Sequence, residues 1–266
     1  MGYSQIVNNM TQHGFSRVYV PGISHIANSA MNGFKEFLRE PEEIRRLWTF
    51  QNNIPGFNSE VGYLPRDKPI NEMTGYAYDH KDVFHFRSQL LKKLGGKMMP
   101  YLHKCWLGDL AQLYQEALNL GMYVAEELTK LFPDSHIMHG VSRSTLDDDH
   151  VLRLLHYHMI EREGGLIGLG HTDESFLTVH VADNFPGLKV GEEGDTELVP
   201  TARNICLVYP GKKAELHTGG EIKALWHEIV DTRPEIPNLQ RLYNYTETGS
   251  PDIHRMAIVF FLDSDT

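Results

Sequence analysis

The strongest constraint on this chain lies beyond Pro133, where short apolar or alternating runs follow one another: "VLRLLHYHMI" (151–160), "GLIGLG" (165–170), "SFLTVHVAD" (175–183), "NICLVYPG" (204–211) and "HRMAIVFFLD" (254–263). Such runs, bounded by Gly and Asp, read as strands rather than helices. Their succession predicts an antiparallel architecture, a barrel or jelly roll.

The first half has a different character. Ile6, Val7 and Met10 share one face of a short helix that Gly14 stops, and "FSRVYV" (15–20) reads as a strand ended by Pro21-Gly22. Ser24 is the expected cap of a helix running to about Arg39, with Ile26, Ala30, Phe34, Phe37 and Leu38 buried. Pro41-Glu42-Glu43 suits the start of the next helix. Residues 51–80, rich in Gly, Pro and Asn, read as loops with short strands, and 109–132 is the clearest helix, with Leu110, Leu113, Ala117, Leu120, Val124, Leu128 and Leu131 at helical spacing. No linker-like stretch separates the halves. One α+β unit over residues 1–266 is therefore expected.

Charge narrows the partners. With 25 basic against 35 acidic residues the net charge is −10, which argues against nucleic acid or an anionic membrane. No apolar run approaches the ~20 residues of a membrane span, and the N-terminus lacks a signal-peptide pattern. Cys105 and Cys206 stand far apart and are expected as reduced thiols in a cytoplasmic protein.

Within "GLIGLGHTDESFLTVH" (165–180), His171 and Asp173 stand two apart. In an extended segment they point the same way and can aim an imidazole and a carboxylate at one ion. The pattern alone carries little weight, because a chain with 15 histidines yields about one His-x-Asp by chance. A second copy, His80-Lys81-Asp82, does occur, and even has a histidine, His136, 56 residues later. Two histidines and one carboxylate on one face of iron leave the opposite positions open. The third ligand must then come from a neighbouring strand, and His227 in "ALWHEIV" (224–230) is the candidate. The long helical stretch between His80 and His136 would not bring ligands together, so His80-x-Asp82 is read as an ordinary surface feature.

Several segments resemble the iron(II)/2-oxoglutarate-dependent dioxygenases of the isopenicillin N synthase-like family. "LRLLHY" (152–157) resembles that family's strand ahead of the metal site, "GLIGLGHTDESFLTV" its approach to His-x-Asp, and "GLKV" (187–190) its "GLQV". "LVYPGKKAELHTGGEIKALWHEIV" (207–230) aligns without gaps to the segment ending in the distal histidine, and "HRMAIVFFLD" to the last core strand, which carries Arg-x-Ser. "QHGFSRVYVPGIS" (12–24) and "DHKDVFHF" (79–86) resemble parts of the family's N-terminal region, so 1–100 corresponds to that region and 150–263 to the catalytic core. The resemblance implies a double-stranded β-helix (jelly-roll) core with flanking helices. It also implies His171, Asp173 and His227 as catalytic iron ligands, 2-oxoglutarate bound by Arg255 and Tyr157, and molecular oxygen and a small molecule as the other reactants. Asp173 favours hydroxylation, desaturation or cyclisation over halogenation, since halogenases of the wider group replace that carboxylate.

Two positions depart from the family pattern. Ala257 stands where the Ser of Arg-x-Ser is expected, and Leu155 where an Asn is common. A lost hydrogen bond to a charged group is worth ~1.5–3 kcal/mol, which would weaken 2-oxoglutarate binding unless a relocated donor substitutes. A 2-oxoglutarate-independent iron oxidase and a metal-free binding protein on the same fold are the rival readings. Finally, His227 and Arg255 are 28 residues apart, against about ten in the family; the extra chain (231–252) carries Arg233 and Arg241 beside Leu239, Leu242, Tyr243 and Tyr245. A connection of that length is either functional or disordered, and a substrate-contacting lid is one expectation.

Overall fold

The run Arg255–Leu262 (β11) offers water no polar face, and Arg255 through Phe260 are all buried. A strand of this kind belongs inside a sheet covered on both sides. The computed structural model of the chain describes residues 3–48, 61–64, 81–88, 90, 104–147, 149–157, 166–230, 232 and 255–265. The other strands are β1 (Ser16–Tyr19), β2 (Gly62–Leu64), β3 (Lys81–Phe86), β4 (Val151–Tyr157), β5 (Leu166–His171), β6 (Leu177–Asp183), β7 (Leu188–Glu192), β8 (Asp195–Leu198), β9 (Ile205–Pro210) and β10 (Trp226–Val230). They form a seven-stranded sheet, β1-β9-β6-β11-β4-β3-β2, and a four-stranded sheet, β5-β10-β7-β8. Every pairing is antiparallel. This is the jelly-roll core the sequence predicts, and β1, β2 and β3 from the first half join the larger sheet.

The period of two along each strand sorts side chains onto two faces. Met256, Ile258 and Phe260 of β11, with Leu152 and Leu154 of β4, pack outward into a large apolar cluster. Helices supply the other side of that cluster: α1 (Tyr3–His13), α2 (Ile23–Arg39) and, after the short α3 (Glu42–Arg46), the long α4 (Lys104–Leu131). Phe34, Phe37 and Phe84 gather around Trp106, with ring centroids 6.2, 5.6 and 5.0 Å from its own. The Trp106 indole donates to the Ala30 carbonyl at 2.9 Å. Ala257, Val259, Leu155, Tyr157, Leu207 and Tyr209 face the other way and meet Leu188, Val190 and Ile229 of the smaller sheet. That second cluster is the interior of the jelly roll.

Three local expectations need correction. Ser24 lies inside α2 rather than capping it; Gly22, at φ 79°, precedes the helix, and the Ser24 hydroxyl instead accepts from the Asn204 amide at 2.7 Å. Residues Ile137–Asp147 form a helix, α5, beyond the point where only strands are expected; its buried apolar residues, Ile137 and Val141, are too few to show a period. Asp82 is no surface feature. It is buried because β3 pairs with β4, which sets it opposite His156. There the Tyr63 hydroxyl donates to Asp82 Oδ1 at 2.7 Å, and Arg45 donates in turn to that hydroxyl at 3.1 Å. His80 lies outside the described residues.

A buried ion pair fastens the centre of the larger sheet. Arg255 and Asp183 have side chains 0% exposed and meet at 3.0 Å through Nη2 and Oδ2. The register between β6 and β11 shifts at Val181, since Ile258 faces Ala182 while Val259 faces His180. That bulge turns His180 and Asp183, three apart, to the same side. His180 Nε2 then lies 3.4 Å from Asp183 Oδ2, and the Thr201 hydroxyl donates to Oδ1. Burial alone would raise the Asp183 carboxyl, but His180, Arg255 and Thr201 outweigh it and hold it below the usual range.

Removing one partner of such a pair strands the other charge, at about 3–5 kcal/mol. Asp183→Ala is expected to lose stability on that scale in urea unfolding. Because the folded-state carboxyl is lowered, its contribution is complete above the unfolded Asp value of about 4 and fades as pH falls through the folded value. Asp183→Asn should therefore show a shallower loss of stability in acid than the parent; an identical pH profile would show that the pair contributes nothing.

Candidate metal and cosubstrate site

The edge of the smaller sheet carries the metal-type cluster. His171 ends β5 and His227 lies directly opposite it on β10. Asp173 follows two residues after His171, and one donor atom from each of the three lies within 4.8 Å of the others. His171 Nε2 is 3.4 Å and His227 Nε2 3.8 Å from the same atom, Asp173 Oδ1. The two imidazole centroids are 4.5 Å apart.

Neighbouring backbone fixes how each side chain presents itself. Nδ1 of His171 bonds the Leu169 carbonyl at 2.7 Å, and Nδ1 of His227 bonds the Leu225 carbonyl at 3.2 Å. A carbonyl only accepts, so both Nδ1 atoms carry the proton and both Nε2 lone pairs are left facing Asp173. Thr178 donates to Asp173 Oδ2 at 2.5 Å, which leaves Oδ1 toward the imidazoles. Burial would raise the Asp173 carboxyl, but the neighbouring His171 and His227 imidazoles and the Thr178 hydroxyl bring it down to about 2. His227 is lowered, chiefly by burial. His171 is raised, first by its bond to Asp173.

Two neutral-capable imidazoles and one carboxylate anion are a donor set that suits iron(II). The His171 side chain is 47% exposed, against 6% for His227 and 7% for Asp173, so the cluster opens on the His171 side. Close packing explains a glycine here: a Cβ on Gly170 would stand 2.4 Å from the Trp226 ring.

Arg255 points into the same interior from β11. Its Nη2 is taken by Asp183, while Nε and Nη1 are buried without a hydrogen-bond partner among the described residues. A buried donor left unmade is costly, so the two atoms mark a place built for an acceptor. Its guanidinium carbon sits 5.4 Å from the Tyr157 ring centroid, and β4–β11 pairing sets Arg255 opposite Tyr157. A Cβ on Gly187 would come within 2.7 Å of Nε, filling the space beside it. Ala257 is buried in the same interior and donates nothing there.

The cluster holds residues that sequence reasoning missed. Thr178 and Asp183 anchor the carboxylate and the guanidinium. Tyr209 is buried, with its ring 5.3 Å from that of His227. Alternation along "ICLVYP" already puts Tyr209 on one face with Leu207, but nothing local says which face is inward. Of the long 231–252 connection, Thr232 alone is described, its hydroxyl donating to the Pro186 carbonyl at 2.9 Å; Arg233, Arg241 and the expected lid lie outside the described residues.

Residues 149–264 match the model of the 2OG-Fe(II) oxygenase superfamily. Over 84 residues the chain is 30% identical to a flavonol synthase/flavanone 3-hydroxylase of Eustoma exaltatum subsp. russellianum, a match spanning 30% of this chain and 24% of that relative. Among solved structures, JOX2 in complex with 2OG, Fe and JA superposes with a TM-score of 0.72 at 15% identity, covering 98% of this chain and 71% of that one. A full-length Neurospora crassa protein in complex with alpha-KG and thymine gives 0.66 at 17% identity, covering 99% and 80%. These two likenesses concern the fold. The family match covers the segments that carry His171, Asp173, His227 and Arg255, so this part of the chain is similar to the 2OG-Fe(II) oxygenase superfamily in the residues that form the cluster.

Proposed function

We propose that this chain is an Fe(II)/2-oxoglutarate-dependent oxygenase of a small-molecule substrate, acting as one unit over residues 1–266. The observation that carries the proposal is the convergence of two imidazole Nε2 atoms on one carboxylate oxygen, in an interior where Arg255 keeps two unpaired donors. His171, Asp173 and His227 would hold the iron. Arg255 would bind the distal carboxylate of 2-oxoglutarate, its planar fork suited to two charge-assisted bonds, with Tyr157 beside it.

Iron(II) and 2-oxoglutarate, when bound, supply the activation of molecular oxygen that oxidises substrate while 2-oxoglutarate becomes succinate and carbon dioxide. The protein's part is positional. Backbone carbonyls at Leu169 and Leu225 hold the imidazoles in the ligating tautomer, Thr178 orients the carboxylate, and Asp183 fixes the guanidinium. The buried walls exclude water from the cosubstrate, and the His171 side gives substrate its approach. A small-molecule substrate accords with the thymine and JA bound by the structural neighbours. Among the described residues no helix is long and apolar enough to cross a membrane, and a cytoplasmic location accords with Cys206, which is unpaired and buried. Ala257 favours a second reading, an iron oxidase that makes no use of 2-oxoglutarate; succinate formation during turnover separates the two.

His171→Ala and His227→Ala should each abolish Fe(II) binding and cut turnover at least about a hundredfold, since each removes one of three protein ligands, whereas His80→Ala should do neither. Full activity in either ligand variant would end the assignment.

Arg255→Lys keeps a charge beside Asp183 but loses the fork. Anaerobic titration of the Fe(II) protein, following the visible band of the chelated complex, should show 2-oxoglutarate binding weakened about tenfold or more, with Fe(II) stoichiometry unchanged. Normal binding would place the cosubstrate elsewhere.

A further inference from the structure

We infer that the Tyr209 hydroxyl supplies the donor to the 2-oxoglutarate carboxylates that Ala257 cannot, making Tyr209 a cosubstrate-binding residue. The inference rests on the cosubstrate reading above and adds a residue to it.

Three observations carry it. First, Tyr209 belongs to the interior cluster with Tyr157, Leu155 and Ala257. It is placed there by alternation along β9, where Cys206 and Val208 turn outward to the helices. Second, its position spans the two halves of the site. The ring lies 5.3 Å from the His227 imidazole, and it packs in the same interior cluster as Tyr157, which stands opposite Arg255. Third, the hydroxyl is held back from the protein. Tyr209 is 2% exposed, yet among the described residues no hydrogen bond engages its phenol oxygen. The phenol is therefore available to an acceptor from outside the chain.

The chemistry matches the gap. The Ser of Arg-x-Ser would offer one hydroxyl beside the guanidinium; here the position two residues after Arg255 is an alanine, opposite Leu155 on β4. The interior therefore lacks a hydroxyl beside the guanidinium on β11 and has an unengaged one on β9. Because Asp183 already offsets the charge of Arg255, directional bonds rather than net charge must hold the ligand. Each hydroxyl then weighs more.

The test is anaerobic 2-oxoglutarate titration of the Fe(II) protein in the parent, Tyr209→Phe, Ala257→Ser and the double variant, with Fe(II) stoichiometry measured alongside. Tyr209→Phe should weaken 2-oxoglutarate binding about ten- to one-hundred-fold with full Fe(II) loading, the factor for one hydrogen bond to a charged group. Adding Ala257→Ser to it should recover most of that loss, whereas Ala257→Ser alone should tighten binding by less than about threefold, because the donor role is already filled. Unchanged binding in Tyr209→Phe, lowered Fe(II) stoichiometry, or a tenfold gain from Ala257→Ser alone would each overturn the inference. If the parent itself binds Fe(II) but no 2-oxoglutarate, it is the cosubstrate reading that fails.

Discussion

The buried pair of Arg255 and Asp183 is the interaction on which the rest of the interior depends. A guanidinium withdrawn wholly from water cannot be tolerated alone. Asp183 answers it at 3.0 Å, held in turn by His180 and Thr201. The pair ties β6 to β11 at the middle of the larger sheet, where both faces are already committed. Outward lies the helix-backed aromatic cluster, inward the small cluster shared with β7 and β10. The same pair leaves Nε and Nη1 facing inward. One salt bridge thus serves as a structural staple and holds in place a guanidinium with two further donors.

The metal-type cluster is organised differently, by backbone rather than by charge. Each imidazole is fixed by the carbonyl two residues before it, so the geometry depends on the register of β5 against β10. That register in turn depends on close packing: Gly170 lies under the Trp226 ring, and Gly168 against Ile229. Strand pairing is what brings His227 to His171.

Most of the fold is legible in the residues because its strands are short, apolar and well punctuated, and each of the five runs beyond Pro133 becomes a strand. The His-x-Asp spacing is legible for the same reason: an extended segment makes residues two apart neighbours. What escapes are features that depend on irregularity or on partners distant in sequence. His180 and Asp183 share a side only because of the bulge at Val181; a regular period of two would set them on opposite faces. Asp82 looks like a surface carboxylate until β3 is known to lie between β2 and β4. Ser24 looks like a cap because Ser favours that place, but its hydroxyl is engaged by Asn204, 180 residues away.

The departures at Ala257 and Asp183 bear on each other. An arginine balanced by a buried carboxylate presents a nearly neutral pair to the interior, so long-range attraction contributes little to holding a dicarboxylate. Affinity must then come from short, directional bonds, which are strong in a dry interior and sensitive to each missing partner. A site built this way discriminates by the placement of its donors: a ligand that cannot reach both the Arg255 fork and a hydroxyl leaves buried donors unmade. An alanine two residues after Arg255 is therefore no small matter in such a pocket, and the tyrosine on β9, two strands away in the same sheet and beside His227, is the residue whose hydroxyl would answer it.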